Sequence, residues 1–339
     1  MKYRSVAVTR YGGPEVLQVV EKDLRPPAPG EVRIRVQAAS VCRPDVTVRT
    51  GEAFYSGTPL GHKIPFVPGY SVIGVVDAAG EGVRQVSVGD RVGALTVIGG
   101  YSEYLYWPGN RLIPVPTTVD LAEAVTIPLN YIVAYHALHR SARVKTGEKV
   151  LIVGASGGIG TALLQLGRLA GLKMYALASR NKHAVLETYG AVPIDYKTQD
   201  FVEVIRKFEP HGLHAVISGV TTLDAISRGL ATLQKAGRMV CFGEPESRAE
   251  LFQILGVMLA TNLAPGGKSI SLYGTSSYSL GFRKPFDEDW AVLFQLLAAG
   301  KIKPVLAGKY PLLEAARANA FLESGQVTGN VVLLAPELL

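Results

Sequence analysis

The residues best placed to do chemistry in this chain form a glycine turn, in the run VLIVGASGGIGTALLQLGRLAG. An apolar stretch ends at Val153. Gly154, Gly157 and Gly160 follow at three-residue spacing, and an amphipathic helical pattern starts at once. A dinucleotide pyrophosphate needs that order. The first glycine permits the tight turn, the middle one lets backbone approach the phosphates, and the third lets helix and strand pack closely. The helix N-terminus then meets negative charge. Ser156, Gly158 and Ile159 complete the loop. A glycine-rich turn kept for packing alone is the competing reading, and the strand before and helix after weigh against it.

About twenty residues further on, where an NAD enzyme places a carboxylate for the ribose 2′-hydroxyl, the chain reads ALASRNKH. Ser179, Arg180 and Lys182 offer a hydroxyl and two cations instead, which suit a 2′-phosphate. NADPH is the expected cofactor. The alternative is that these are solvated residues at a helix start, where cations oppose the macrodipole and so need another reason to be there.

A second set of reactive side chains lies upstream. ASVCRPDVTVRTG carries Cys42 and Asp45, and IPFVPGYSVIGVV places Tyr70 and Ser71 directly after a turn. Catalytic zinc takes three protein ligands and an open position. With Cys42 alone and His62 in a polar loop, no metal is expected.

These residues need elements to hold them. Residues 1 to about 115 read as all-β: EVRIRVQAAS and YSEYLYW alternate with period two, and YGGP, PPAPGE, GEGV and SVGD are turn signals. Near residue 120 the texture changes, and Asp120 is a plausible helix N-cap. From Lys149 strands and helices alternate. KVLIVG, KMYALAS, AVPID, LHAVIS, GRMVCFG and SISLYG are six short strand candidates. Helical crossovers between them predict a doubly wound parallel sheet. A closing helix and the strand NVVLLAP are expected to return to the first domain. The domains are therefore read as 1–120 with 301–339, and 121–300.

At 339 residues, two domains are the prior. The 35 Lys plus Arg against 28 Asp plus Glu leave a net charge of +7, but the cations are scattered with no run of five. That excludes a nucleic-acid stripe. No apolar stretch is long enough to span a bilayer. Two cysteines give neither a disulfide framework nor a metal knuckle, which fits a reducing cytoplasm.

Taken together, YGGPEVLQVVE, PAPGEVRIRVQAAS, PFVPGYSVIGVV, GDRVGAL, GGYSEYL, GASGGIG, GAVPIDY and GNVVLL resemble the medium-chain dehydrogenase/reductases, specifically the zinc-free quinone oxidoreductase branch. The resemblance runs nearly the whole length. It implies a GroES-like β domain plus a Rossmann domain. It also implies that Lys182 and Tyr196 hold the NADP 2′-phosphate, that Phe242 and Gly243 lie beside the nicotinamide riboside, and that Asn330 lies near the cofactor. Tyr55 falls on a loop that lines the substrate cleft in the family. In the zinc branch, Cys42 would be the first ligand, but Tyr70 and Ser71 replace a His-Glu pair and the later cysteine has no counterpart.

The lining departs from a standard quinone reductase. Cys42 stands for Asn, Thr47 for Tyr, and LNYIVAY for GLTAY, which puts Val133 in place of a threonine. Without a Lewis acid, quinones and α,β-unsaturated carbonyls are the easier hydride acceptors. Tyr70 then either donates a hydrogen bond to the substrate oxygen or fills the vacated metal cavity. The alternative function is an NADPH-binding protein with little turnover; a zinc alcohol dehydrogenase lacks its ligands. The expected partners are a small-molecule substrate and a second copy, paired along the edge strand near 269–274.

Overall fold

The computed structural model describes residues 1–339 except 54, 59, 60, 276, 277, 279 and 280. Two compact units divide the chain: Met1–Leu129 with Lys284–Leu339, and Asn130–Arg283.

In the first unit a seven-stranded sheet runs Leu306–Pro311, Asn330–Leu334, Glu31–Val41, Ser71–Ala79, Arg91–Leu95, Ile113–Pro114, with Tyr104–Pro108 also paired to Glu31–Val41. Period two makes the long strand: Val32, Ile34 and Val36 are buried while Arg33 and Arg35 face outward. The C-terminal strand pairs antiparallel with it, Val331 opposite Val41. The core gathers branched side chains from these strands and is closed by the helix Ala315–Glu323. The helix Arg43–Thr50 is pinned to that closing helix by Arg49. Its fully buried guanidinium reaches the Glu323 carboxylate at 2.7 Å and the Gly12 carbonyl.

The second unit is a six-stranded, all-parallel sheet. Its order is Val192–Asp195, Lys173–Ala178, Lys149–Val153, Leu213–Ser218, Leu233–Cys241, Ser269–Leu272. Numbered along the chain that is 3-2-1-4-5-6, the doubly wound arrangement with its switch point after the first strand. The strands are short branched runs buried on both faces, as a parallel sheet covered by helices requires. At the N-terminal end of the sheet, Lys149 and Lys173 open the first two strands and converge on buried Glu209. Lys173 Nζ reaches it at 2.7 Å and the Tyr175 hydroxyl at 2.6 Å. Burial alone would raise this carboxyl, but the two ammonium groups and the phenol outweigh it, and it falls to about 2.

On the sheet's outer strand, the Asn262 side chain on the helix Arg248–Leu263 serves both outward groups of Ile270. Its Nδ2 donates to the carbonyl at 3.1 Å and its Oδ1 accepts from the amide at 2.8 Å. An amide side chain thus occupies the outward backbone groups of one residue of the four-residue strand Ser269–Leu272. Part of the TSSY continuation lies outside the described residues.

Candidate functional site

In the second unit the first strand ends at Val153, and Gly154 turns the chain with φ +81°. The helix Gly158–Leu169 starts from Gly157, whose lack of a side chain leaves the first-turn N–H groups without a side-chain cap. A Cβ on Gly160 would lie 2.3 Å from the Gly154 carbonyl oxygen, so helix and turn touch there. Ser156 and Ile159 are half-buried on the same turn. Uncapped N–H groups on a twelve-residue helix, reached through a glycine turn, form an anion cradle.

The second strand ends at Ala178, level with Asp195 at the end of the third. That register sets Ser179 and Tyr196 side by side at the same end of the sheet as the glycine turn. Ser179 immediately precedes the short turn Arg180–Lys182, and its hydroxyl donates to Asn181 Oδ1 at 2.7 Å. Arg180 is exposed, Lys182 half-buried, and Tyr196 exposed. Burial, and then the charge of Lys197, lower the Lys182 pKa. The buried Asp195 is occupied by Lys197 N and Thr198 Oγ1, both at 3.1 Å. Lys197 was missed from the sequence, although it directly follows Tyr196.

The strand ends step across the switch point. Gly219 N donates to Val153 O at 3.1 Å, and Phe242 N to Ser218 O at 2.9 Å. The Phe242 ring covers Gly219. A Cβ on Gly243 would sit 2.3 Å from the Gly219 oxygen, so this floor tolerates only glycine. Val133 is buried in the short helix Ile132–Tyr135. Just after it, buried His136 shares a 2.8 Å hydrogen bond with the Tyr273 hydroxyl, a pair 137 residues apart and invisible to local pattern.

In the first unit, Cys42 is the N-cap of Arg43–Thr50, and Asp45 is the third residue of that helix. The buried Asp45 carboxylate gathers four donors. Gly69 N reaches Oδ1 at 3.0 Å; Cys42 N and Sγ at 2.9 Å and Tyr101 Oη at 3.0 Å reach Oδ2. Burial pushes this carboxyl up to about 6 against the pull of those four bonds. Tyr101, fully buried, is pushed well above the usual phenol range by burial and by Asp45. Thr47 turns its hydroxyl back on the Arg43 and Pro44 carbonyls at 3.2 and 3.1 Å.

Tyr70 is half-buried just before the strand Ser71–Ala79, while residues 66–69 and 71–74 are all buried. Ser71 donates to Val125 O at 3.1 Å and shares a 2.7 Å bond with Ser40. Tyr55 is half-buried and meets the edge of His62, with ring centroids 5.9 Å apart; burial lowers the His62 pKa. Among the described residues no three His, Cys, Asp or Glu side chains converge in a metal-binding group. Asn330, which opens the C-terminal strand of this unit, is buried and donates its Nδ2 to Val305 O at 2.9 Å.

Residues 28–117 match the family described as alcohol dehydrogenase GroES-like domain, and residues 189–333 match zinc-binding dehydrogenase. Human quinone oxidoreductase is 31% identical over 338 residues, covering 98% of this chain and 97% of that protein. The chain belongs to the quinone oxidoreductase branch of the medium-chain dehydrogenase/reductases. It is thereby an oxidoreductase. A solved Escherichia coli quinone oxidoreductase complexed with NADPH is 27% identical, with a TM-score of 0.86, covering 98% of this chain and 99% of that one. The CurK enoyl reductase structure is 26% identical, with a TM-score of 0.85 and the same coverage.

Proposed function

We propose that this medium-chain reductase is zinc-independent and uses NADPH to reduce quinones or α,β-unsaturated carbonyl compounds. One observation carries the reading: Arg180, Lys182 and Lys197 gather with Ser179 and Tyr196 at the ends of the second and third strands. The Asp195 carboxylate at the end of the third strand is spent on its own turn, accepting from Lys197 N and Thr198 Oγ1. Cations of that kind suit a phosphate monoester and would gain nothing from a 2′-hydroxyl. The glycine turn and helix Gly158–Leu169 would hold the pyrophosphate, and Phe242 and Gly243 would flank the nicotinamide riboside. NADPH bound to the similar E. coli enzyme supports the assignment.

When bound, the reduced nicotinamide supplies the hydride. The chain's own residues supply place and polarity. Tyr70, and secondarily Tyr55, would donate to the substrate oxygen as negative charge develops there. The Cys42 thiol donates to Asp45 Oδ2 at 2.9 Å. Ser71 is turned to Val125 and Ser40. Neither is presented as a metal ligand. We further propose a homodimer formed through the second unit, and a cytoplasmic setting in keeping with a chain that has only two cysteines, both buried.

NADPH oxidation by the purified protein should be followed with a panel of quinones, enones and aldehydes. Turnover with the first two classes is expected. Tight NADPH binding with no turnover on any acceptor would instead establish the binding-protein reading.

A further inference from the structure

We propose that Asp45 is a positioning residue that fixes Tyr70 in place by clamping the backbone before it; the idea rests on the reductase reading only for its kinetic consequence. The clamp is visible bond by bond. Residues 67–70 run against residues 96–101, and every carbonyl of 67–70 accepts a bond from that segment. Val67 O accepts from Gly99 N at 2.7 Å and Pro68 O from Tyr101 N at 2.9 Å. Gly69 O accepts from Gly100 N at 3.2 Å and from the Thr96 hydroxyl at 2.6 Å. Tyr70 O accepts from Thr96 N at 2.8 Å and Val97 N at 3.3 Å. The Gly69 amide points the other way, to Asp45 Oδ1.

Asp45 thereby joins three elements. Its own helix begins at Cys42, its Oδ1 holds the segment leading to Tyr70, and its Oδ2 holds Tyr101 from the opposing loop. A carboxylate is the group this junction needs, because all four atoms facing it are donors. An asparagine cannot replace it. Whichever way its amide is turned, its NH₂ meets a backbone N–H that can only donate, that of Gly69 or that of Cys42.

Two further observations separate this arrangement from ordinary packing. Val97, whose amide reaches Tyr70 O, holds φ +66°. That conformation is an outlier for a β-branched residue and persists only where the surroundings over-determine it. Yet the side chain at the centre of all this order, Tyr70, is not buried like its neighbours. A backbone fixed from both sides around one half-buried tyrosine is what pre-organisation of a donor requires.

The test is 3-fluorotyrosine labelling of the full chain, with the Tyr70 resonance assigned from Tyr70→Phe, in the unmutated protein and in Asp45→Asn. The Tyr70 signal should move or broaden in Asp45→Asn, while that of Tyr175 in the other unit and the Kd for NADPH stay unchanged. With a quinone acceptor, kcat should fall about 10-fold at constant KM for NADPH, and Asp45→Asn should add nothing on top of Tyr70→Phe. If Asp45→Asn fails to fold, Tyr101→Phe, which removes one donor, should displace the Tyr70 signal in the same way. An unmoved Tyr70 resonance in the folded variants overturns the clamp. So does an additive effect of the two substitutions on kcat. Absence of turnover in the unmutated protein would instead defeat the reductase reading and leave the spectroscopic result standing.

Discussion

Gly69 and Gly100 approach so closely that a Cβ built on Gly69 would lie 2.5 Å from the Gly100 Cα. Gly69 also holds φ +116°. Space and backbone conformation exclude a side chain together, on the residue that precedes Tyr70. Gly69→Ala is therefore expected to cost about 2–4 kcal/mol of stability, through strain and displacement of the 96–101 loop. Chemical denaturation checks it; a loss under about 0.5 kcal/mol would show that the two loops part easily.

The unmutated protein should prefer NADPH to NADH. Each contact of Arg180, Lys182 and Lys197 with the 2′-phosphate should contribute about 1.5–3 kcal/mol, so each alanine variant should weaken NADPH binding roughly 10- to 100-fold and leave NADH nearly untouched. Lys182 and Lys197 repel each other in the free protein, so removing one should also relieve the other. Fluorescence titration with both cofactors measures this. Equal affinity of the unmutated protein for NADPH and NADH would defeat the assignment.

The nucleotide half of the site was legible because its signals are local. The Gly154–Gly160 spacing, the strand before it and the helix after it all fall within about twenty residues. Ser179 and Lys182 were found by counting along the next strand. Lys197 needed only the step past Tyr196. Asp45 was half-legible: an acidic residue three after the helix N-cap is a capping signal. Its other partners, Gly69 and Tyr101, lie 24 and 56 residues away, and no periodicity links them. The Asn262 cap on Ile270 was missed for a related reason. Propensity reads a strand edge from its own residues, whereas its cover comes from the preceding helix.

Glu209 should make the second unit acid-sensitive. Its folded pKa of about 2 lies below the ordinary carboxylate value, so its stabilisation is present above about pH 4.5 and is lost as pH falls toward 2. Glu209→Gln should cost about 2–3 kcal/mol at pH 7, the full shift being discounted because Lys173 is half-exposed. The two stability curves should converge near pH 2. A constant gap between them at every pH would mean that Glu209 acts through packing rather than charge.

The helix Arg248–Leu263 carries the dimer prediction. Phe252, Leu255, Leu259 and Leu263 are 72%, 44%, 64% and 76% exposed and share one face. From Leu251 to Leu263 there is no charge to keep two copies apart. Because Asn262 already serves Ile270, this helix face rather than strand pairing at Ile270 is expected to form the seam. Light scattering at micromolar concentration should report a dimer, and Leu259→Lys should weaken it by about 100-fold or more. A monomeric unmutated protein would remove the seam, and a Leu259→Lys dimer of unchanged affinity would return it to the strand.

The last prediction concerns Tyr70 and metal. By the family resemblance, Cys42 matches the first ligand of the zinc branch and Tyr70 replaces its histidine; the Cys42 thiol donates to Asp45. Purified protein is expected to carry no stoichiometric zinc, and chelators should leave turnover unchanged. If Tyr70 donates to the substrate oxygen, Tyr70→Phe should lower kcat about 10- to 1000-fold, the upper end being the effect of one oxyanion donor. A filler would instead leave Tyr70→Phe almost silent, with Tyr70→Ala costing stability through a cavity. Measuring kcat and melting temperature for both variants separates donor from filler. Stoichiometric zinc whose chelation abolishes activity would overturn the zinc-independent reading altogether.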